Sequence, residues 1–205
     1  MHNNAIACVL ANQSLWIQRG FTRGRQLVEN VLDLDTVSRL AALSPELLPV
    51  LVLFDFANAF PSVFHAWVFA VLNFVKAPLG FRNLVKGLYH NNVAYIKTES
   101  GFTKLFIILS GVLQGCPLSA SLFTMAIDPF IRQIYNSIAI PRNGWTRVCA
   151  DDIGCVLRGL AHVARLLPIF KVAQRFAGLH LKPAKCVTVP LGNKFFDQLR
   201  NTLQQ

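Results

Sequence analysis

The chain has 205 residues, 53% hydrophobic and only 15% charged, against a usual charged share of about 25%, which excludes a disordered tail, a collagen and a coiled coil and leaves one domain with a sizeable core. Lys and Arg number 20 and Asp and Glu 10, a net charge of +10; the basicity comes from missing acids rather than from abundant bases, and it points to an anionic partner. Five cysteines, Cys8, Cys116, Cys149, Cys155 and Cys186, are odd in number and lack C-x-x-C spacing, which excludes a disulfide framework and a zinc knuckle and fits a reducing compartment.

In chain order, Ala5 to Ala11 is an apolar run without a cationic lead, so no signal peptide is expected. Leu27, Val31, Leu34, Val37 and Ala41 recur at helical spacing after a glycine-rich start, predicting a helix that ends before Ser44-Pro45. Val50 to Phe54 reads as a buried strand, with Asp55 directly after it. Pro61 and Ser62 open a long apolar helix to about Lys76, and a second runs from about Phe81 to Tyr89. Val93 to Thr98, the turn Glu99-Ser100-Gly101 and Lys104 to Leu109 predict a hairpin. A Gly111 to Pro117 loop launches a helix from Leu118 to about Tyr135. A second hairpin joins Thr146 to Ala150 with Ile153 to Leu157 and carries Asp151 and Asp152 at its tip. Leu160 to Ala177 is helical, broken or kinked by Pro168; Leu179 to Val189 is extended, and a last helix covers Lys194 to Leu203.

Phe56 to Val75 and Leu105 to Ile127 lack Asp, Glu, Lys and Arg for long enough to suggest membrane spans. The first carries Asn58, Pro61, His65 and Asn73, and the second Gln114, Gly115, Pro117 and three serines, groups that lipid would leave without partners. No membrane span is expected.

Acids are scarce enough to be informative one by one. Asp55, Asp151 and Asp152 each stand where a short apolar strand ends, the place where mixed sheets present functional side chains. A single such Asp is commonly no more than a turn residue. Three that converge would repel one another, by roughly 3 kcal/mol per pair about 5 Å apart at an effective dielectric near 20, so a cation is required. Carboxylate oxygens suit Mg²⁺, and the chemistry suggested is metal-assisted phosphoryl transfer.

Five blocks, in order, carry a family resemblance. Gln18-Arg19-Gly20-Phe21-Thr22-Arg23-Gly24-Arg25 resembles Q-x-G-F-x-x-G-R, and Asp55-Phe56-Ala57-Asn58-Ala59-Phe60 resembles D-x-x-x-A-F. Gly111 to Ser119 is close to G-V-x-Q-G-C-P-L-S, Cys149-Ala150-Asp151-Asp152 stands where the family has aromatic-A-D-D, and Gly178 to Cys186 resembles G-L-x-x-N-x-x-K-T. Over roughly Gln18 to Val189 the chain resembles the palm region of a reverse transcriptase of the non-LTR retrotransposon (LINE-type) group.

The resemblance implies an α+β fold, a polymerase palm whose antiparallel sheet packs on helices, with partial fingers. It further implies one reverse transcriptase domain fragment over residues 1–205: a fingers-side segment at about 18–47, the palm at 48–190 and a C-terminal helix at 191–205. The family's upstream fingers block and its thumb are not matched. The implied activity is RNA-directed DNA polymerisation with Mg²⁺, or Mn²⁺ in its place, on an RNA template, a DNA primer and dNTPs, inside the cell in nucleus or cytoplasm. Asp55 and Asp151 would hold two ions with the Phe56 carbonyl, and Asp152 completes the cluster. Lys185 resembles the proton donor to pyrophosphate, and Phe60 the steric gate against a ribose 2′-hydroxyl. Gln114, Gly115 and Pro117 would wall the nucleotide pocket, and Arg25 would contact template or triphosphate.

Departures from the family pattern are Pro61 for a second acid, Cys149 for the aromatic, Lys182 for Asn and Ala120 for Pro; none removes a metal ligand. Two other readings stand beside the polymerase: a catalytically inactive relic of such an element, and a basic RNA-binding module without chemistry, whose charge does the work through phosphate contacts.

Overall fold

The architecture comes from a computed structural model, which describes residues 14–44, 48–139 and 142–192. Helix α1 (Leu27–Ala42) leads into strand β1 (Val50–Phe54), the one-turn helix α2 (Ala59–Ser62), α3 (His65–Phe74) and α4 (Leu79–Tyr89). The hairpin β2 (Val93–Thr98) and β3 (Gly101–Ile107) precedes the long helix α5 (Ser119–Ile138). Then come β4 (Gly144–Cys149), β5 (Asp152–Leu157), α6 (Val163–Ala177) and β6 (Val187–Pro190). The main sheet has the order β4-β5-β1-β6 with every pair antiparallel. This is the expected α+β palm arrangement.

The sheet's inner face is written in alternation. Val50, Val52 and Phe54 lie opposite Leu157, Cys155 and Ile153 in register, so all six point to one side, where they are buried. Against them packs the apolar face of α5, whose Leu122, Phe123, Ile127, Ile131, Ile134 and Ile138 are fully buried, each contributing about 1.5–3 kcal/mol. Phe170 of α6 closes the layer, its ring 4.7 Å from that of Phe54. On the other face α1 lies over β4 and β5, and Leu34 sits directly above Gly154.

Several expectations change. The helix expected from Pro61 to Lys76 is two helices separated at Val63, which is extended (φ −62, ψ 124). The break is satisfied from outside: Gly111 N–H donates to Val63 O, Phe64 N–H to Ala177 O and His65 N–H to Leu109 O. Pro168 lies inside α6 without ending it. Leu179 to Val189 is not one strand, because a 3₁₀ turn at Pro183–Lys185 interrupts it before β6. Helix α1 forms as expected, yet Leu27 and Val31 of its apolar stripe are exposed and its buried residues are Asn30 and Ser38. Asn30 is inside because its amide donates to Val148 O of β4, a carbonyl that also accepts from Arg19 N–H. The expected helix from Lys194 to Leu203 and the apolar run Ala5 to Ala11 fall outside the described residues. Among the described residues no helix is long and apolar enough to cross a membrane.

Candidate active site

Strand pairing brings the acids together. Phe54 is registered with Ile153, so Asp55 follows β1 at the sheet end where Asp152 opens β5. Cys149 pairs with Asp152 across β4 and β5, leaving Ala150 and Asp151 as a two-residue turn. Asp55 and Asp152 line one cleft of about 310 Å³ with Cys149, Lys185 and Val187, roofed by α1. Asp151, half-buried at the turn, has its carboxyl raised above the usual range, first by burial and then by the negative charges of Asp152 and Asp55.

Among the described residues no three His, Cys, Asp or Glu side chains close around one point as a preformed cage. The donor set nevertheless suits a hard cation: oxygen-only, mutually repelling, and open on one side for phosphate and water. The nearest compensating charge is Lys185, whose Nζ stands 3.3 Å from Asp55 Oδ2. It is held there by the segment before β6, where Lys182 N–H donates to Asp55 O and Ala57 N–H to His180 O. Those bonds make Phe56 and Leu181 a non-hydrogen-bonded antiparallel pair. The alternation of extended backbone then turns the Phe56 carbonyl away from residues 180–182, toward the aspartate turn, while its ring is buried against Phe170. Gly178 ends α6 with φ 75, and a Cβ there would meet Ser62 O at 2.4 Å; only glycine lets the following segment reach Asp55.

Phe60 stacks on the fully buried Phe123, with centroids 4.2 Å apart and planes 14° apart, and meets Phe21 edge-on. It is half-buried, a core contact with an open side. The loop that carries Gln114, Gly115 and Pro117 docks onto the same corner through Val112 N–H to Phe60 O and Gly111 N–H to Val63 O. Ser119 Oγ–H donates to Leu113 O, and the three loop residues remain exposed. Arg25 is placed differently from the other expected residues. Its guanidinium donates to the carbonyls of Ser14, Leu15 and Gln18, which ties the N-terminal segment together.

Sequence reasoning quoted Gln18 without giving it a role. It is 0% exposed and hydrogen-bonds the turn that carries Asp151. It also missed the ion network beneath: Asp33 of α1 bridges Arg19 (2.9 Å) and Arg147 of β4 (2.7 Å), and the Arg147 guanidinium lies 4.6 Å from the Trp16 ring centroid. The signals were present, as a Gln two residues before a Gly and an Asp on a helix, but their partners are distant in sequence.

A sequence model of the family described as reverse transcriptase (RNA-dependent DNA polymerase) matches residues 3–196. The Pol polyprotein of the type-2 retrotransposable element R2DM of Drosophila melanogaster is 29% identical over 192 residues, which cover 91% of this chain and 18% of that protein. The Pol polyprotein of the type-1 element R2 of Nasonia vitripennis is 26% identical over 177 residues, covering 85% of this chain and 17% of the relative. The chain thus spans less than a fifth of the length of these relatives. In fold it is similar to apo telomerase from Candida tropicalis (TM-score 0.66, 9% identity, 92% of this chain and 36% of that one). It is similar also to telomerase from Candida albicans solved with a fragment of telomeric RNA (TM-score 0.67, 10% identity, 91% and 35%).

Proposed function

Because the chain belongs to the reverse transcriptase family, we propose that it carries the catalytic centre of an RNA-directed DNA polymerase, which adds deoxynucleotides to a DNA primer on an RNA template inside the cell, in nucleus or cytoplasm. The observation that carries this reading is the meeting of Asp55 with the Asp151-Asp152 turn where β1 and β5 run side by side.

Asp55 and Asp151, with the Phe56 carbonyl and Asp152, would hold two divalent cations, Mg²⁺ or Mn²⁺. When bound, such a pair lowers the pKa of the primer 3′-hydroxyl and neutralises charge on the reacting phosphate. The remaining work belongs to side chains of this chain. Asp152 and Asp55 give the cleft its negative charge, so that it accepts phosphate only together with cations. Lys185, on the open side of Asp55, is within reach of a departing pyrophosphate and hands it a proton. Phe60, braced by Phe123, presents an edge under the sugar, and the exposed Gln114, Gly115 and Pro117 wall the base. Arg25 drops out of the nucleotide set, since three backbone carbonyls occupy its guanidinium.

Single-nucleotide extension of a DNA primer annealed to RNA tests the reading. Product in Mg²⁺ that disappears with chelator is the expected result. Binding without extension in any divalent metal would favour the RNA-binding module or the inactive relic.

A further inference from the structure

Gln18 sits in a three-residue edge segment that runs parallel to β4, with Arg19 N–H donating to Val148 O and Val148 N–H to Ile17 O. Its side-chain amide bonds the backbone of Ala150 and of Gly20. Oε1 accepts from Ala150 N–H at 2.9 Å and from Gly20 N–H at 2.7 Å, while Nε2–H donates to Ala150 O at 3.0 Å. Both backbone groups of Ala150 are thus held by one side chain 132 residues away. Ala150 needs holding: its φ is 56, a left-handed conformation that residues with a Cβ rarely adopt. The same clamp passes to the next residue. Because the peptide is planar, fixing the Ala150 carbonyl also fixes the Asp151 N–H, and with it the direction in which the Asp151 carboxylate leaves the turn.

Gly20 is part of the device. A Cβ there would lie 2.1 Å from Ala150 N, so the edge segment comes as close to the turn as backbone can. Arg19, between the two, is anchored to Glu29 and Asp33 of α1, which keeps the segment from sliding.

We propose that Gln18 is a positioning residue for the metal centre: through its paired hydrogen bonds to Ala150 it sets the Asp151 carboxylate for a divalent cation. The inference rests on the metal-binding reading above. Gln18 touches neither metal nor substrate. A purely structural Gln would stabilise the fold without altering metal affinity in the folded protein, and this separates the two roles.

The test is Mn²⁺ binding by the purified chain, read as loss of the free-ion paramagnetic resonance signal, beside thermal unfolding without metal. The panel is wild type, Asp151→Asn, Gln18→Leu and Gln18→Leu/Ala150→Gly; in the double variant glycine adopts positive φ without cost, so the turn folds unclamped. Expected are loss of binding in Asp151→Asn, at least tenfold weaker binding in folded Gln18→Leu, and a double variant that regains thermal stability but not affinity. Affinity within twofold of wild type in either Gln18 variant would overturn the proposal. So would failure of both to fold, which assigns Gln18 to the fold alone. Wild type that does not bind Mn²⁺, or Asp151→Asn that binds like wild type, would instead overturn the metal reading beneath it.

Discussion

The Lys185 ammonium lies 3.3 Å from the Asp55 carboxylate, and the Lys185 side chain is 58% exposed. So exposed a pair contributes little to stability, about 0–1 kcal/mol. Lys185→Ala should therefore leave the thermal midpoint nearly unchanged while slowing nucleotide addition by roughly 10²-fold or more, as loss of a general acid does. Lys185→Arg, which keeps the charge but not the acidity, should restore little of the rate. Equal rates in wild type and Lys185→Ala under single-turnover conditions would remove Lys185 from the chemistry.

Gly20 supports the aspartate turn by having no side chain. Gly20→Ala places a methyl 2.1 Å from Ala150 N and 2.9 Å from the Cys149 carbonyl carbon, so two backbone segments must part. We expect a loss of about 2–3 kcal/mol in denaturant unfolding. A wild-type midpoint would mean that the 17–19 segment does not sit against the turn.

Asp33 makes stability depend on acid. Its carboxyl is held below the usual range first by the hydrogen bond from Arg147, against the opposing effect of burial, and also by Arg19. A carboxyl lowered in the fold contributes stability above its unfolded pKa, about 3.9, and loses it as pH falls through the folded pKa. Asp33→Asn should cost about 1–2 kcal/mol at pH 7, the lower part of the range for charged hydrogen bonds because Asp33 is 36% exposed. The gap should hold down to about pH 5 and close below about pH 4. A gap that widens in acid would contradict the network.

Which features the sequence disclosed follows from where their causes lie. Strand β1 was readable because Val50 to Phe54 is apolar and ends on an Asp, and the acids of the site because motif and strand end coincide at Asp55, Asp151 and Asp152. The break at Val63 was hidden, since the groups that satisfy it come from Leu109, Gly111 and Ala177, and nothing within Pro61 to Lys76 announces them. The burial of Asn30 in place of Val31 depends on the Val148 carbonyl of β4, a partner distant in sequence that local periodicity cannot see. Gln18 was visible only as part of a quoted block; its function needs Ala150.

Phe60 is both packed and open. Its stacking on Phe123 means that Phe60→Ala costs stability, about 2 kcal/mol, less than the 3–5 kcal/mol of a fully buried ring. If its edge also excludes a 2′-hydroxyl, ribonucleotide incorporation relative to deoxynucleotide should rise at least tenfold in the folded variant. An unchanged ratio, with both activities lowered together, would leave Phe60 as core alone.

If Asp55 and the Asp151-Asp152 turn form a centre that does chemistry, removing the turn's two carboxylates must abolish nucleotide addition without abolishing binding. The deciding measurement is single-turnover addition of one dNTP to a primer pre-bound on RNA, for wild type and Asp151→Ala/Asp152→Ala, with primer–template affinity measured on the same samples. Extension should be lost while affinity stays within a few-fold or rises, because two negative charges leave the site. Extension that survives the double substitution, or affinity that falls in step with extension, would mean that these carboxylates do no chemistry.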